Sequence, residues 1–248
     1  MVLPRAFAVL RMLAEAPQGL TLSALASELE APKSSLSSTL KALTEQGFLT
    51  RARSFYVLGP EAYALASIML AGRSIRQIAR PFIEHAMQSS GETVLLAVLD
   101  ADQRNFTYVD SVESSKSVRY SVPVGCRRPL YATSCGRLFL AYQSEASRTV
   151  YFKGVKMERL TEATITSRPA LKKKLREIRK AGISVTLGDY SADVAGFAAP
   201  VFNSEGEMIA ALTIGVPLAR GLPDRARFCQ IAIEQARALS KTLGYDGV

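Results

Sequence analysis

The sequence predicts an α+β protein in two parts, a small helical module closed by a hairpin and a larger domain built on an antiparallel sheet. Three observations carry this. Residues 21–58 read as two short helices joined by a tight turn and followed by a basic hairpin. Val94 to Asp100 and Asn105 to Val112 read as strands joined by the charged turn Ala101-Asp102-Gln103. Phe197 to Phe202 and Met208 to Val216 form a second strand pair, joined by Asn203-Ser204-Glu205-Gly206, with helical patterns before and after.

Taken in order, Leu3, Phe7, Leu10 and Ala14 fall at helical spacing and predict a first helix over 4–16, ended by Pro17-Gln18-Gly19. Thr21 caps a short helix through about Leu29, with Leu22, Leu25, Ala26 and Leu29 on its buried side. Ala31-Pro32 opens the next helix, where a proline's missing N–H costs little, and Gly47 ends it. Leu49 to Leu58 reads as a two-stranded wing. An alanine-rich helix from Glu61 to Leu70 and another over 73–87 follow, with Gly72 as the natural hinge between them. In the larger part, Val118 to Val122 reads as a third strand and Pro123 to Pro129 as irregular. Helices are expected from about Ser134 through Tyr142, over 169–181 and over 224–244, with a strand at Ile183 to Leu187.

The composition is that of an ordinary globular chain of 248 residues, 48% hydrophobic and 21% charged. Three scattered cysteines are too few for a disulfide framework and fit reduced thiols in the cytoplasm. The longest strongly apolar run, Val94 to Leu99, is far short of the roughly 20 residues a bilayer span needs. The net charge of +9 is uneven: up to Gly72 six Lys and Arg face five Asp and Glu, and from Arg73 onward 25 face 17. The basicity therefore lies mostly outside the first module, whose own basic cluster is local (Lys33, Lys41, Arg51, Arg53). The densest run, Lys172 to Lys180, carries an apolar stripe of Leu171, Leu175 and Ile178 and reads as a solvated surface helix.

The helix after Pro32 has the division a recognition helix requires. Leu36, Leu40 and Leu43 lie on one side, Ser34, Ser38, Lys41 and Glu45 opposite, and Ser35 and Ser37 on the flanks. Short hydroxyls approach base edges closely but carry less sequence information than a bidentate Arg or Asn. Lys33 suits a phosphate, and Arg51 and Arg53 suit a wing on double-stranded DNA. The expected DNA-facing residues are Lys33, Ser34, Ser35, Ser37, Ser38, Lys41, Arg51 and Arg53; the alternative is a winged helix that binds protein. One histidine, His85, leaves little for a Ser-His-Asp or Cys-His apparatus. Neither a metal-ligand cluster nor a phosphate-cradling glycine loop is present, so no cofactor or metal is expected.

These segments resemble the IclR family of bacterial transcriptional regulators. The resemblance rests on Leu20-Thr21-Leu22, Leu25-Ala26, Pro32-Lys33-Ser34, Gly47-Phe48 and Tyr56-Val57-Leu58-Gly59, then on Pro129 to Arg137 (PLYATSCGR), then on Ala198 to Phe202 with Gly206 and Ala211 to Ile214. It implies a winged helix-turn-helix over 1–60, a linker helix over 61–72 and a GAF-like effector-binding domain over 73–248, assembled as a homodimer or homotetramer. It also implies an effector pocket formed by Ser134, Cys135, Val194, Gly196, Thr213 and Gly215, with Tyr120 and Asp189 as further members. A small-molecule effector, an organic acid or aromatic metabolite of a catabolic pathway, would bind there, with Arg119, Arg127 and Arg128 available to meet a carboxylate. Departures from the family pattern carry expectations of their own. Ser38 replaces a frequent arginine, so the operator preference is not inherited. Tyr131 replaces the usual histidine. Gly196 and Gly215 stand where a cysteine and a serine are common, which predicts a roomier and less polar pocket on that side. Cys135 at a helix start leaves open a redox sensor or small-molecule enzyme as the competing reading.

Overall fold

The computed structural model describes residues 2–71 and 74–247. Contacts divide the chain into two compact units, Met1–Ser74 and Ile75–Val248. Gly72, the expected hinge, and Arg73, the expected first residue of the larger domain, lie outside the described residues.

In the first unit the order is α1 (Val2–Glu15), β1 (Leu20–Thr21), α2 (Leu22–Glu28), α3 (Lys33–Glu45), β2 (Leu49–Ala52), β3 (Phe55–Leu58) and α4 (Pro60–Ala71). Thr21 accepts a hydrogen bond from the backbone N–H of Ala24 at 3.2 Å, satisfying one of the orphan donors at the start of α2. Gly47 takes φ +76° just after α3, a left-handed stop that favours glycine. Val9, Leu13, Leu25, Leu36, Leu40 and Leu49 are buried together, so the apolar side of α3 faces the core as its spacing requires. Beyond the expected hairpin of β2 and β3, the two-residue β1 pairs with β3 and extends it to three strands in the order β1-β3-β2. Two residues are too short for any periodicity to show.

The second unit holds α5 (Ile75–Ser90), β4 (Thr93–Leu99), β5 (Asn105–Val112), β6 (Arg127–Pro129), α6 (Ser134–Tyr142), α7 (Glu145–Gly154) and α8 (Arg168–Ala181). It continues with β7 (Ser184–Leu187), β8 (Val194–Phe202), β9 (Met208–Pro217), α9 (Leu218–Gly221) and α10 (Arg225–Thr242). Its six strands form one antiparallel sheet in the order β6-β5-β4-β9-β8-β7. Successive residues point to opposite faces. Val94, Leu96, Phe197, Ala199, Leu212 and Ile214 meet α5 and α10 on one side. On the other, Leu95, Ala97, Ala198 and Ala211 meet α6, α7 and α8. On this second face the middle of β8 and β9 carries small residues at facing positions, Gly196 and Ala198 against Gly215 and Thr213. That scarcity of side-chain volume leaves room for a cavity.

Two expectations fail here. Val118 to Val122 is not a strand, and the third strand of this half is β6, inside the stretch expected to be irregular. The alternating residues 118–122 are held by side chains instead: Arg220 donates to the carbonyl of Val118 at 2.8 Å and Thr93 to that of Tyr120 at 2.6 Å. β6 pairs only with β5, an edge position where its closing proline is tolerated.

Candidate functional site

α3 presents Lys33, Ser34, Ser35, Ser37, Ser38 and Lys41 to solvent, while Leu36, Thr39 and Leu40 are buried. The exposed residues are not equivalent. Ser35 accepts a hydrogen bond from Arg5 on α1, the Ser38 hydroxyl turns back to the carbonyl of Ser34 at 3.3 Å, and Lys41 lies 3.8 Å from Glu45. Lys33, Ser34 and Ser37 are the least committed. In the wing, Arg51 and Arg53 are exposed. Arg53 sits in the turn at φ +58°, and Arg51 donates to its carbonyl at 3.2 Å while lying 5.7 Å above the Tyr56 ring. The wing thus holds one guanidinium against an aromatic face and leaves the other with no partner among the described residues, beside a helix with a polar outward side.

In the second unit a cavity of about 200 Å³ opens between the small-residue face of β8 and β9, the start of α6 and the segment that carries Tyr120. This is below the usual range for sites that take drug-sized ligands, so it has room only for a smaller molecule. Of the eight residues expected there, Tyr120, Ser134, Val194, Gly196, Thr213 and Gly215 line it. Cys135 and Asp189 do not, and both expectations are corrected. Cys135 is fully buried in the core beneath the sheet, and burial pushes its thiol up to about 12 against the smaller pull of hydrogen bonds from Thr213 and Tyr108. A protonated, enclosed thiol is a poor nucleophile. Asp189 turns away, pairing with the buried Arg137 guanidinium at 2.7 Å and accepting from the N–H of Leu187 at 2.8 Å.

That pair explains much of the PLYATSCGR segment. Thr133 caps α6 by accepting from Gly136 N–H at 3.1 Å. A Cβ on Gly136 would fall 2.3 Å from the Leu130 Cα, so only glycine lets the first turn of α6 lie against the incoming chain. Arg137, 1% exposed, donates to the Tyr131 carbonyl at 2.8 Å and is neutralised by Asp189. Tyr131 sends its hydroxyl to the carbonyl of Glu158 at 3.0 Å. Gly136, Arg137 and Tyr131 build the floor of the site, while Thr133 also reaches its lining.

The expectation of a roomier, less polar pocket at Gly196 and Gly215 is also overturned. A Cβ at Gly215 would stand 2.2 Å from the Tyr120 ring, and one at Gly196 would stand 2.6 Å from the Ser134 hydroxyl and 3.0 Å from that of Thr186. The room the glycines vacate is taken by a phenol and two hydroxyls. Tyr108, Arg128, Thr133, Thr186, Tyr190 and Ser191 complete the polar wall and were not among the expected pocket residues, save Arg128 as an available cation. Burial raises Tyr108 well above its ordinary value and raises Tyr120, the Arg128 guanidinium opposing it in both, so both phenols are hydrogen-bond donors at neutral pH.

Arg128 is the one formal charge on this wall. Of the three arginines offered by the sequence, Arg119 is held by Glu113 at 3.0 Å and Arg127 by Asp100 at 2.6 Å and Asp102 at 3.2 Å. Arg128 has no carboxylate partner among the described residues. Its guanidinium lies 5.1 Å above the Tyr190 ring, one nitrogen reaches the Arg127 carbonyl at a long 3.4 Å, and its buried Nε has no partner.

A helix-turn-helix with a wing, followed by a six-stranded sheet enclosing a small cavity, is matched along nearly the whole chain. The family model for the IclR helix-turn-helix domain covers residues 2–53, and that for the bacterial transcriptional regulator IclR C-terminal domain covers residues 68–241. The chain belongs to the IclR family. It is 30% identical to the transcriptional repressor IclR of Escherichia coli K12 over 249 aligned positions, 99% of this chain and 90% of that protein. Among solved structures it is similar to Thermotoga maritima IclR, with TM-score 0.65 and 28% identity, and to Pseudomonas aeruginosa HmgR, with TM-score 0.70 and 26% identity. Each match covers 98% of both chains. As an IclR-family protein it is a DNA-binding transcriptional regulator with a winged helix-turn-helix and a GAF-like domain for a small-molecule effector. No helix among the described residues is long and apolar enough to cross a membrane, and no group of three or more His, Cys, Asp or Glu among them forms a metal site. His85 is exposed on α5.

The state of Cys135 gives a direct check. With Cys126 and Cys229 partly exposed, a thiol reagent at pH 8 should modify those two in the native protein and reach Cys135 only on unfolding. Cys135→Ala should leave the native thiol count unchanged; a count that falls by one would contradict the enclosed thiol.

Proposed function

We propose that this regulator reads double-stranded DNA with Lys33, Ser34, Ser35, Ser37, Ser38, Lys41, Arg51 and Arg53, and that its effector is a small organic acid held at Arg128. The observation that carries the effector class is the guanidinium with no carboxylate partner among the described residues, set in a lining that mixes hydroxyls with apolar groups. A charge taken partly out of water is stabilised by a partner of opposite sign, and a carboxylate meets a guanidinium with two parallel hydrogen bonds. Tyr108, Tyr120, Ser134 and Thr213 would serve the rest of the molecule, and the Tyr190 ring would flank it. The domain assignment follows as 1–60 for DNA, 61–72 for the linker and 73–248 for the effector. The assembly is a homodimer or homotetramer in the cytoplasm. Leu3, Phe7 and Tyr63, each more than 60% exposed on the first unit, supply apolar surface for self-association. Ligand control requires that the effector bind one arrangement of the paired winged helices better than the other.

The experiment is a shift assay on the intergenic DNA upstream of the protein's own gene. Wild type should bind with strong salt dependence, and Lys41→Ala/Arg51→Ala/Arg53→Ala should weaken binding by about tenfold or more at 0.15 M salt through lost phosphate contacts. Salt-insensitive binding, or an unaffected triple variant, would favour the protein-binding winged helix instead.

A further inference from the structure

The winged helix leaves the charge of the protein unexplained. Residues 145–182, 38 in all, contain eleven Lys and Arg against four Glu, a net of +7 out of +9 for the whole chain. Most of this charge is on α7 and α8. The buried Leu171, Leu175 and Ile178 fix which side of α8 faces inward, so its cations are turned out along one side. Between the two helices runs a groove of about 500 Å³ lined by Arg148, Lys172, Arg176, Arg179 and Lys180, with Glu145 as its only acid.

Three of these cations are pinned. Arg148 donates to the carbonyls of Gln143 and Leu140, Arg179 lies 4.0 Å over the Tyr142 ring, and Lys172 lies 5.7 Å from that of Phe152. Arg176 and Lys180 are exposed and pair with no carboxylate among the described residues, since Glu177 turns to Lys174 at 3.6 Å. A surface usually intersperses both signs, because like charges held together repel. A row of outward cations, two of them unpaired and with their neighbouring acid engaged elsewhere, fits a partner that is itself a regular line of negative charge.

The spacing fits such a partner. Lys172, Arg176 and Lys180 recur every four residues and span about 12 Å of helix axis, over which duplex DNA presents roughly seven phosphate charges. We propose that the α7–α8 groove is a second DNA-contacting surface, which holds the phosphate backbone of a duplex without reading its bases. The proposal rests on the DNA-binding reading above but not on the residues of the winged helix. An acidic protein would be attracted by the same charge, yet it needs no evenly spaced row.

The test is fluorescence anisotropy of the full chain on two duplexes, the upstream intergenic segment and a scrambled sequence of equal length, between about 50 and 200 mM salt. Lys172→Gln/Arg176→Gln/Lys180→Gln keeps helix propensity and the buried stripe. Its slope of log affinity against log salt should be shallower by about 2–3, with affinity down about tenfold or more on both duplexes alike. Lys153→Gln/Arg168→Gln/Lys173→Gln removes the same charge outside the groove and should change the slope by less than about 1. Ser34→Ala/Ser37→Ala, on the face of α3 offered to base edges, should by contrast lose discrimination between the duplexes. An unchanged slope in the groove variant would overturn the proposal, as would equal losses in both glutamine variants, which would mark a diffuse charge effect. Wild type that binds neither duplex would overturn the DNA-binding reading together with it.

Discussion

Glu92→Ala should destabilise the effector domain by about 3 kcal/mol, lowering its melting temperature by roughly 6–12 °C. The Glu92 carboxylate is fully buried just before β4 and receives three charge-assisted hydrogen bonds, two from Arg220 at 2.6 and 2.9 Å and one from Lys116 at 2.7 Å. Removing the acid leaves two cations facing one another. Both keep some contact with water, Arg220 at 34% and Lys116 at 45% exposure, which places the loss at the lower end of the range for a buried pair. The effect reaches the cavity because Arg220 also holds the carbonyl of Val118, two residues before Tyr120. Release of that segment frees the ring that packs on Gly215. The variant should therefore lose effector affinity as well as stability, as calorimetry with and without ligand would show.

The pH dependence has a definite sign. Desolvation raises the Glu92 carboxyl, but the hydrogen bonds from Arg220 and Lys116 outweigh it and hold the group below the ordinary carboxylate value. A depressed carboxyl contributes stability that is complete above the unfolded value of about 4.3 and is lost as pH falls through the folded one. The stability gap between wild type and Glu92→Gln should be constant from pH 6 upward and shrink below about pH 4. A gap that does not change on acidification would mean that the carboxylate's charge contributes nothing.

How much of this was readable from sequence follows from what each residue answers to. The pairing of β8 with β9 was legible from two apolar runs joined by the turn Asn203-Ser204-Glu205-Gly206, and the two sides of α3 because Leu36 and Leu40 repeat at helical spacing. α7 was missed: Tyr151 and Phe152 are adjacent rather than a turn apart, so its buried side makes no stripe. Val118 to Val122 alternates like a strand, yet its backbone is tied to Arg220 and Thr93, contacts from residues 102 and 27 positions away. In the site, glycines marked where chains approach closely, but not which side chain would fill the space. Cys135 and Asp189 were placed on the lining by resemblance alone. Their actual roles depend on the one-residue turn between Ser134 and Cys135 at the start of α6, and on the burial of Arg137, a residue type most often exposed. Choosing Arg128 over Arg119 and Arg127 required knowing where Glu113, Asp100 and Asp102 lie.

Arg128→Met should all but abolish the response to effector, weakening acid binding by about a hundredfold while duplex binding stays near wild type. Truncating one side of a partly buried, hydrogen-bonded charge pair costs about 2–5 kcal/mol, a factor of roughly 30 to several thousand. Methionine retains apolar contact with Tyr190, so the cavity should keep its shape. The decisive measurement is release of wild type and Arg128→Met from the upstream duplex, followed by anisotropy, on titration with pyruvate, lactate, benzoate and 4-hydroxybenzoate, each beside its amide. The account predicts that at least one acid shifts wild-type DNA affinity, that its amide does so far more weakly, and that Arg128→Met binds the duplex without responding. Amides as effective as the acids, or a variant that responds as wild type does, would contradict it.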